Sequence, residues 1–346
     1  MAAVMPSATN TYVRSHDATN KMVVDYARNV KDFALNRYVQ IVPVKAMTGL
    51  YLEMTIEEAG RMLYADARNF IWADGHERPL GHGEVESFEY RPYRCERFAY
   101  PFTLGNLTIE QASWNILAQN ARNKAQQAMT ARTQFVVTQA TTTGNYASTH
   151  RLDVTAISGN TGTWALSTTG RGDIKRSLMA AAEVILDDTI NAVQPNDLIL
   201  VINSLLAARL IQCQEITDYL KSSPEAMAQI RGELPGSNVL YGLPDKLYGF
   251  NLVVEATRKV TSRKGATRAV SQVLPTATPF MCSRPGGLVG VADAPNFSTH
   301  VLFAQEEMSV ETLVDVNNRR TTGSVVDSVA AKTVAPASGV LFSNAV

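Results

Sequence analysis

The chain has few cysteines, no net charge and no long apolar run, and each absence excludes a class of protein. Its 346 residues include three cysteines, Cys95, Cys213 and Cys282, and no C-x-x-C pair. This argues against a disulfide framework and fits a reducing compartment. The formal net charge is zero and the pI is about 7.0, so the whole chain has no general attraction to nucleic acid. We expect neither a membrane span nor a signal peptide, because no suitable apolar segment occurs.

Sequence signatures of catalysis and of metal binding are also missing. The chain has no G-x-x-x-x-G-K-[ST], no G-x-G-x-x-G and no G-x-S-x-G motif. His76 and His82 precede Cys95 in a turn-rich stretch, but their spacing matches no standard zinc pattern, and a solvated loop is the better interpretation. We therefore expect no catalytic residue, no metal site and no cofactor.

The most informative stretch begins with a predicted strand from Glu86 to Leu104. Its even positions are mostly aromatic or aliphatic, which is the period of two that marks a strand. Its middle carries charge on both faces, from Arg91, Arg94, Glu96 and Arg97. Pro92 and Pro101 each remove a backbone donor, which suits an edge strand or a protruding arm. We interpret the strand as an arm without a core of its own, the alternative being an ordinary solvent-exposed hairpin.

A long helix is predicted directly after this arm. Thr108 to Gln111 has the Thr-x-x-Gln pattern of a capping box, and no glycine or proline follows until Gly144. Small and apolar residues recur at spacings close to three and four, which predicts a helix of about 30 residues, roughly 45 Å long. They are Ile109, Ala112, Ile116, Ala121, Ala125, Ala128 and Phe135. The opposite face is Asn, Gln, Arg and Thr, and a helix of this length is typical of a spine or a bridge.

The rest of the chain alternates between helices and strands. Residues 171–300 are predicted to form an α/β lobe, with a helix capped by Asp173 and a later helix capped by Asn203 or Ser204. Its predicted strands are Leu198–Ile202 and Phe250–Glu255.

Shorter elements are predicted on either side of the arm and the lobe. Asp17 is predicted to cap a helix that runs to about Tyr38, Gly49–Met54 reads as a strand, and Thr55-x-x-Glu58 opens another helix. The tail from Val301 is predicted to form strands around a turn at residues 319–323.

One charged segment lies within the lobe. Residues 256–269 contain five basic side chains and no acidic one, namely Arg258, Lys259, Arg263, Lys264 and Arg268. The simpler interpretation is a solvated loop, and the sharper one is contact with phosphate or with the acidic rim of a neighbouring subunit. No aromatic side chain interleaves, so stacking on bases is not indicated.

The order of the elements resembles that of the Hong Kong 97-like major capsid proteins of tailed double-stranded DNA bacteriophages. The resemblance covers nearly the whole chain and rests on order, since no single motif is diagnostic. The segments that carry it are Phe98–Gly105 entering Thr108–Trp114, then Ala125–Arg132, Asp197–Asn203 and the stretch from Ile216–Leu220 to Tyr248–Val254.

That resemblance implies an α+β fold with a defined division of the chain. Residues 1–44 would be the N-terminal arm and 45–104 the extended E-loop. Residues 105–170, with the spine helix, and the return strands 301–346 would build the P-domain. Residues 171–300 would be the α/β A-domain.

The resemblance also implies a structural protein and not an enzyme. Such a protein self-assembles as pentamers and hexamers into the icosahedral head of a virion around packaged double-stranded DNA, after synthesis in the host cytoplasm. Its expected partners are copies of itself, scaffolding and portal proteins, a decoration protein and, non-specifically, the DNA, with no membrane. Arg91, Arg94, Glu96 and Arg97 would contact a neighbouring subunit. The five basic residues of 256–269 would face DNA or a symmetry axis.

Two departures and two alternatives accompany this interpretation. Some members of the family join an E-loop lysine to a neighbour's asparagine, but no lysine occurs from Ala46 to Asn123, so we expect no such bond. The short N-terminal arm predicts either a separate scaffolding protein or prior removal of a scaffold segment. An encapsulin-type shell around a protein cargo is the alternative function, and an α/β enzyme built on the 171–300 lobe is the third.

Overall fold

A computed structural model describes residues 33–54, 74, 88–112, 114–167, 172–189, 193–222, 224, 243–263, 265–284 and 298–346. The helices are α1 (Leu35–Tyr38), α2 (Asn106–Gln111), α3 (Ile116–Thr141), α4 (Asp173–Thr189), α5 (Ser204–Leu210) and α6 (Gln214–Ser222). The strands are β1 (Gln40–Pro43), β2 (Thr48–Met54), β3 (Phe88–Arg94), β4 (Glu96–Gly105), β5 (Arg151–Asp153), β6 (Leu198–Asn203), β7 (Lys246–Leu247), β8 (Phe250–Glu255), β9 (Arg258–Val260), β10 (Val270–Gln272), β11 (Phe280–Ser283), β12 (His300–Asp315), β13 (Arg320–Thr333) and β14 (Val340–Ser343). None of the helices in these ranges is both long and apolar enough to span a membrane.

The strands form two larger sheets and two antiparallel hairpins. One sheet has four strands in the order β1-β12-β13-β4, and the other has six in the order β5-β14-β11-β6-β8-β7. The hairpins are β2–β3 and β9–β10. The six-stranded sheet is mixed, since β6 is parallel to β8 and antiparallel to β11. This sheet also includes β5 and β14, which come before and after the predicted A-domain at residues 171–300. The predicted domain boundaries stay a prediction.

Strand β6 is covered on both faces and joins the two main cores. All six of its residues are buried, which explains why it reads as an uninterrupted apolar run. Leu198, Leu200 and Ile202 pack with the apolar face of α4. Ile199 and Val201 point the other way and pack with the buried residues of α3. The predicted strands Leu198–Ile202 and Phe250–Glu255 are confirmed.

The long helix begins later than predicted. Residues 106–111 form the separate helix α2, the chain is extended at Ala112, and α3 starts after Asn115. The Asn115 side chain accepts a hydrogen bond from Ala118 N at 2.9 Å, which is the bond of an N-cap. The prediction that a capping box at Thr108–Gln111 opens the long helix is therefore wrong, because the extended residue Ala112 separates α2 from α3 and Asn115 caps the long helix. The 26 residues of α3 span about 39 Å.

The buried face of α3 also differs from the predicted stripe. Its buried residues lie in the C-terminal half: Ala128, Met129, Arg132, Thr133, Val136, Val137 and Ala140. Their spacing alternates between one and three, which places them on one side of the helix. Of the predicted stripe only Ala128 is buried. The prediction followed the alanines of residues 116–127, and that half of the helix stays partly exposed.

The N-terminus of α4 is capped from a distant part of the chain. The Glu215 carboxylate accepts hydrogen bonds from Ile174 N at 3.1 Å and Lys175 N at 3.0 Å. Asp173, which the sequence predicted as the cap, is buried, and its carboxylate instead accepts from Thr161 N at 3.3 Å. That prediction was wrong because a second carboxylate, brought by α6, occupies the positive end of the helix dipole.

Other predicted elements are confirmed, wrong or outside the described residues. The Asn203 side chain caps α5 as predicted, accepting from Leu206 N at 2.6 Å, and the strand at Gly49–Met54 is β2. The predicted tail strands are β12 and β13, but the turn between them lies at residues 316–319, earlier than the predicted 319–323, because β13 has already begun at Arg320. Most of the helix predicted from Asp17, the helix after Thr55 and most of the turn-rich stretch 72–87 lie outside the described residues.

A buried ion pair fastens α3 to the four-stranded sheet. Arg132 Nε lies 2.8 Å from Asp327 Oδ2, and Arg132 Nη2 lies 2.6 Å from Oδ1. The two side chains are 9% and 1% exposed. Two parallel hydrogen bonds match the planar guanidinium to the carboxylate. Burial and the nearby Asp327 carboxylate raise the pKa of Tyr100 on β4, so that hydroxyl stays neutral.

Removing one partner of this pair leaves the other charge buried and uncompensated. Asp327→Asn is expected to lower the free energy of unfolding of the unassembled protein by about 3–5 kcal/mol. Urea unfolding followed by circular dichroism measures this change. The control is Asp315→Asn, which removes the partner of Arg320 on the surface and should have little effect. Equal effects from the two variants would contradict the structural importance of the buried pair.

His300 is a buried, uncharged histidine at the start of β12. Its Nε2 lies 3.2 Å from the Tyr146 hydroxyl, and its Nδ1 lies 3.2 Å from Thr333 Oγ1. The Phe280 ring packs edge-on at 5.6 Å between ring centroids. Burial among these groups lowers the pKa of His300 from 6.5 to about 3.

This depressed pKa gives a signed pH dependence of stability. In the unfolded chain His300 takes up a proton near pH 6.5, whereas in the folded chain it does so only near pH 3. The contribution of neutral His300 to the free energy of unfolding is therefore complete above pH 6.5 and is lost as the pH falls below that value. At pH 5 we expect His300 to have lowered the free energy of unfolding by about 2 kcal/mol. Urea unfolding at pH 7.5 and pH 5 measures the loss, which His300→Gln should remove. Parallel pH profiles for the parent and His300→Gln would refute this assignment.

Candidate assembly surface

The predicted arm is two strands that meet at a buried cysteine. β3 ends at Arg94, β4 begins at Glu96, and Cys95 between them donates its backbone N–H to Met47 O at 2.7 Å. The Cys95 thiol lies 3.8 Å from Phe303 O, and burial raises its pKa. β3 pairs with β2, while β4 pairs with β13 of the four-stranded sheet. The prediction of a single continuous strand is therefore wrong, because the break at Cys95 lets β3 and β4 pair with different strands.

Strand β4 packs within its own chain. The Phe98 ring lies 5.0 Å from the Phe135 ring of α3, between centroids. Phe102 is 6% exposed and covers the backbone of Gly323, where a β-carbon would collide with its ring. The interpretation that the whole arm lacks a core is wrong for this half, because α3 lies across its inner face. Pro101 is tolerated because β4 is the outer strand of its sheet.

Aromatic rings anchor the β2–β3 hairpin at its root. Tyr93 stacks on Phe303 of β12 with ring centroids 4.5 Å apart and an interplanar angle of 18°, and Tyr51 lies 5.7 Å from the same ring. Tyr93 also lies over Gly49, its partner in the register, where a β-carbon would come within 2.6 Å of the tyrosine hydroxyl. Glycine at this position permits the close approach, and the stacked rings hold the hairpin against the sheet.

One face of the hairpin is apolar and exposed. Leu50 and Pro92 are directly opposite each other, and Tyr90 lies two residues from Pro92, so the three share a face. Leu50 is 63% exposed and Tyr90 is 66% exposed. We call these three residues the arm's apolar face. The rings of Tyr51 and Tyr93 anchor the opposite face on Phe303, so the apolar face is turned away from that anchor.

Two of the charged residues predicted to reach a neighbour have partners in their own chain. Arg91 lies 2.9 Å from Glu89 on the same strand. Arg97 lies 3.5 Å from Glu306 and 3.8 Å from Glu311, both on β12. All five side chains are largely exposed. Arg91 and Arg97 therefore each have a carboxylate partner within their own chain, and their predicted contact with a neighbouring subunit stays a prediction.

Arg94 and Glu96 are exposed on either side of the break between β3 and β4 and form no ion pair with any residue that the structure describes. Arg94 borders three shallow grooves of about 420, 560 and 540 Å³. One of them continues to Leu50 and Pro92 of the apolar face, and another continues to Gln134 of α3. Arg94 thus lies where the hairpin, the sheet and the long helix meet.

The basic segment forms a hairpin and not an open loop. Arg258 and Lys259 lie in β9, while Arg263 and Arg268 lie between β9 and β10, where Thr261 N donates to Ala269 O at 2.9 Å. The interpretation as a solvated loop is wrong in this respect. Lys264 lies outside the described residues.

The basic hairpin lies beside the polar face of α3. A groove of about 450 Å³ is lined by Arg258, Lys259 and Arg268 on one side and by amide side chains of α3 on the other. The amides are Asn123, Gln126, Gln127 and Gln134. Their spacing of three, one and seven places them on one helix face, a signal visible in the sequence. Sequence reasoning missed the groove because the two sides are far apart in the chain.

The candidate metal residues give no support for a metal site. His76 and His82 lie outside the described residues, and the Cys95 thiol is directed at a backbone carbonyl. Within the part of the chain that the structure describes, no three His, Cys, Asp or Glu side chains are grouped to hold a metal ion.

Comparison with known proteins finds similarity in structure alone. No family model and no curated protein sequence matches the chain. A phage-related protein from Bordetella bronchiseptica RB50 is 14% identical with a TM-score of 0.60, over 92% of this chain and 93% of that one. The capsid structure of the cyanophage P-SCSP1u is 11% identical with a TM-score of 0.54, over 95% and 92%. A structure from Microbacterium phage Oxtober96 is 11% identical with a TM-score of 0.52, over 97% and 98%. The order of elements predicted correctly that this chain has the α+β Hong Kong 97-like fold of phage capsid proteins.

Proposed function

We propose that this chain is a phage major capsid protein, a structural protein and not an enzyme, that assembles as pentamers and hexamers into an icosahedral head around double-stranded DNA. The observation that carries the proposal is the likeness to a cyanophage capsid over 95% of this chain and 92% of the other. A match that extends over both chains supports a role for the whole architecture and not for one lobe of it.

The β2–β3 hairpin is the element that we assign to contact between subunits. A neighbouring subunit that covered the arm's apolar face would remove Leu50 and Tyr90 from water. Fully burying a side chain of this size contributes about 1.5–3 kcal/mol. A contact between different surfaces of identical chains is head-to-tail, so it closes into rings when the rotation between subunits permits. The E-loop role of residues 45–104 rests on this argument.

Arg94 and Glu96 are the charged residues that best fit a contact with a neighbouring subunit. They are exposed beside the apolar face and form no ion pair with a described residue of their own chain. Charges at the rim of an interface fix its register and exclude wrong partners more than they add affinity. Arg91 and Arg97 remain proposed contacts, but each must share its charge with a carboxylate of its own chain.

The remaining partners follow from the proposed assembly. The chain would be made in the host cytoplasm and would reside in the virion head shell, without a membrane. It would act with scaffolding and portal proteins, with a decoration protein on the outer surface, and non-specifically with packaged DNA. The division into an N-terminal arm at 1–44, a P-domain and an A-domain at 171–300 belongs to the same proposal.

Electron microscopy of the purified protein in negative stain tests the proposal directly. We expect closed particles of uniform size, and particles from phage-infected cells should contain nuclease-protected double-stranded DNA. Particles filled with a protein cargo would favour the encapsulin-type alternative. A chain that stays monomeric at every concentration, with a small molecule bound in the lobe, would favour the enzyme alternative.

Leu50→Asp tests the arm's apolar face. Because a carboxylate on this face cannot be buried without a large desolvation cost, we expect particle yield to fall at least about tenfold while the subunit remains folded. Particle yield is measured by sedimentation, and folding by circular dichroism. Leu166→Asp is the matched control, since Leu166 is 65% exposed and Leu50 is 63% exposed. Equal yields from both variants would count against the apolar face as a contact.

Charge reversal distinguishes the role of Arg94 in assembly from that of Arg97, which also has partners in its own chain. Arg94→Glu is expected to lower particle yield and leave the free energy of unfolding of the subunit unchanged. Arg97→Glu should lower both, because it places a third carboxylate beside Glu306 and Glu311 within the chain. Urea unfolding and sedimentation measure the two effects, with Lys246→Glu on the edge strand β7 as a control. A normal particle yield from Arg94→Glu would be incompatible with the proposed contact.

A further inference from the structure

The groove between the β9–β10 hairpin and α3 has an unusual charge distribution for a protein of zero net charge. Arg258, Lys259 and Arg268 supply three positive charges along one wall. Among the residues that the structure describes, no acidic side chain lines the groove, and none of these three cations is in an ion pair. Unpaired cations that converge on a groove attract an anion, and the attraction strengthens as the number of phosphates it carries increases.

The opposite wall supplies neutral hydrogen-bond donors. Asn123, Gln126, Gln127 and Gln134 lie on one face of α3, and amide groups of this kind bind phosphate oxygens and sugars. Lys124 lies at the edge of the same face, with its Nζ 3.1 Å from Gln127 Oε1. The hairpin wall of the cleft therefore supplies charged donors, and the helix wall supplies mainly neutral ones. A surface that follows a sugar-phosphate backbone uses this set of donors.

We infer that this groove binds the phosphate backbone of double-stranded DNA without regard to sequence. An acidic peptide is the competing polyanion, and the preference for DNA rests on the mixture of charged and neutral donors, which matches the phosphate and sugar oxygens of a nucleic-acid backbone. Single-stranded nucleic acid is disfavoured because successive bases need several stacking rings, and Tyr100 is the one aromatic side chain among the described residues that line the groove. The inference deepens the proposed function and rests on it for the source of the DNA, since the groove would then face the inside of the shell.

Fluorescence anisotropy with the full-length, unassembled chain tests this assignment. The probe is a labelled mixed-sequence DNA duplex of about 25 base pairs, titrated at salt concentrations between about 50 and 200 mM. The double variant Arg258→Gln/Arg268→Gln should bind at least about tenfold more weakly at about 100 mM salt, with a slope of log affinity against log salt that is smaller by about 1.8. The double variant Lys175→Gln/Lys246→Gln removes the same charge from surfaces outside the groove and should bind like the parent chain.

A second pair of variants tests the helix wall. Gln127→Glu places a carboxylate in the groove from the other side and should weaken DNA binding several-fold. Gln212→Glu makes the same change at an exposed glutamine that does not line the groove, and should have little effect. The inference is wrong if the groove variants and their controls bind equally, or if the chain prefers poly-glutamate or the single strand of the same length.

Particle formation is measured in parallel for every variant. If every variant forms normal particles and binds DNA equally, the assignment of DNA binding to the groove is wrong and the proposed function stands. Loss of DNA binding in the groove variants of a chain that never forms particles would support the groove and overturn the proposed shell.

Discussion

The structure depends on how α3 is held against the four-stranded sheet, and the buried pair of Arg132 and Asp327 sets that position. Both charges are removed from water, and the two-point contact between a planar guanidinium and a carboxylate fits one register of helix on sheet. In this register Val136 and Val137 pack with the sheet, and Phe98 reaches Phe135. Strand β4 is thereby packed as the outer strand of the sheet, and on the other side of Cys95 the chain pairs with β2 instead.

The two halves of helix α3, and its two faces, have different roles. Its C-terminal half provides core residues, while residues 116–127 remain partly exposed and polar. Because the buried face is turned to the sheet by the ion pair, the amide face is turned towards the β9–β10 hairpin. The residues that stabilise the fold and those that we assign to DNA therefore share one rigid element. A substitution on the amide face does not alter the core, which makes the two roles separable by mutation.

Sequence patterns predicted what depends on neighbours in the chain. Strand β6 reads as apolar throughout because both its faces are buried, and Asn203 caps the helix that starts at the next residue. The failures involve partners that come from elsewhere. Glu215, and not the adjacent Asp173, caps α4, and Phe303 of β12 anchors the hairpin. No local pattern contains the information that these groups meet, so the arm appeared to lack a core along its whole length.

The two proposed contact surfaces differ in their physics, and this difference has consequences for assembly. Contact through the arm's apolar face is driven by the removal of apolar area from water and is nearly independent of salt. Binding through the cations of the groove releases counterions and weakens steeply as salt rises. A shell held by the first kind of contact can therefore close and persist under conditions in which the second kind exchanges freely. In the proposed shell, loose and salt-sensitive contacts would suit DNA that moves along the inner wall, whereas the contacts between subunits would persist when the ionic strength changes.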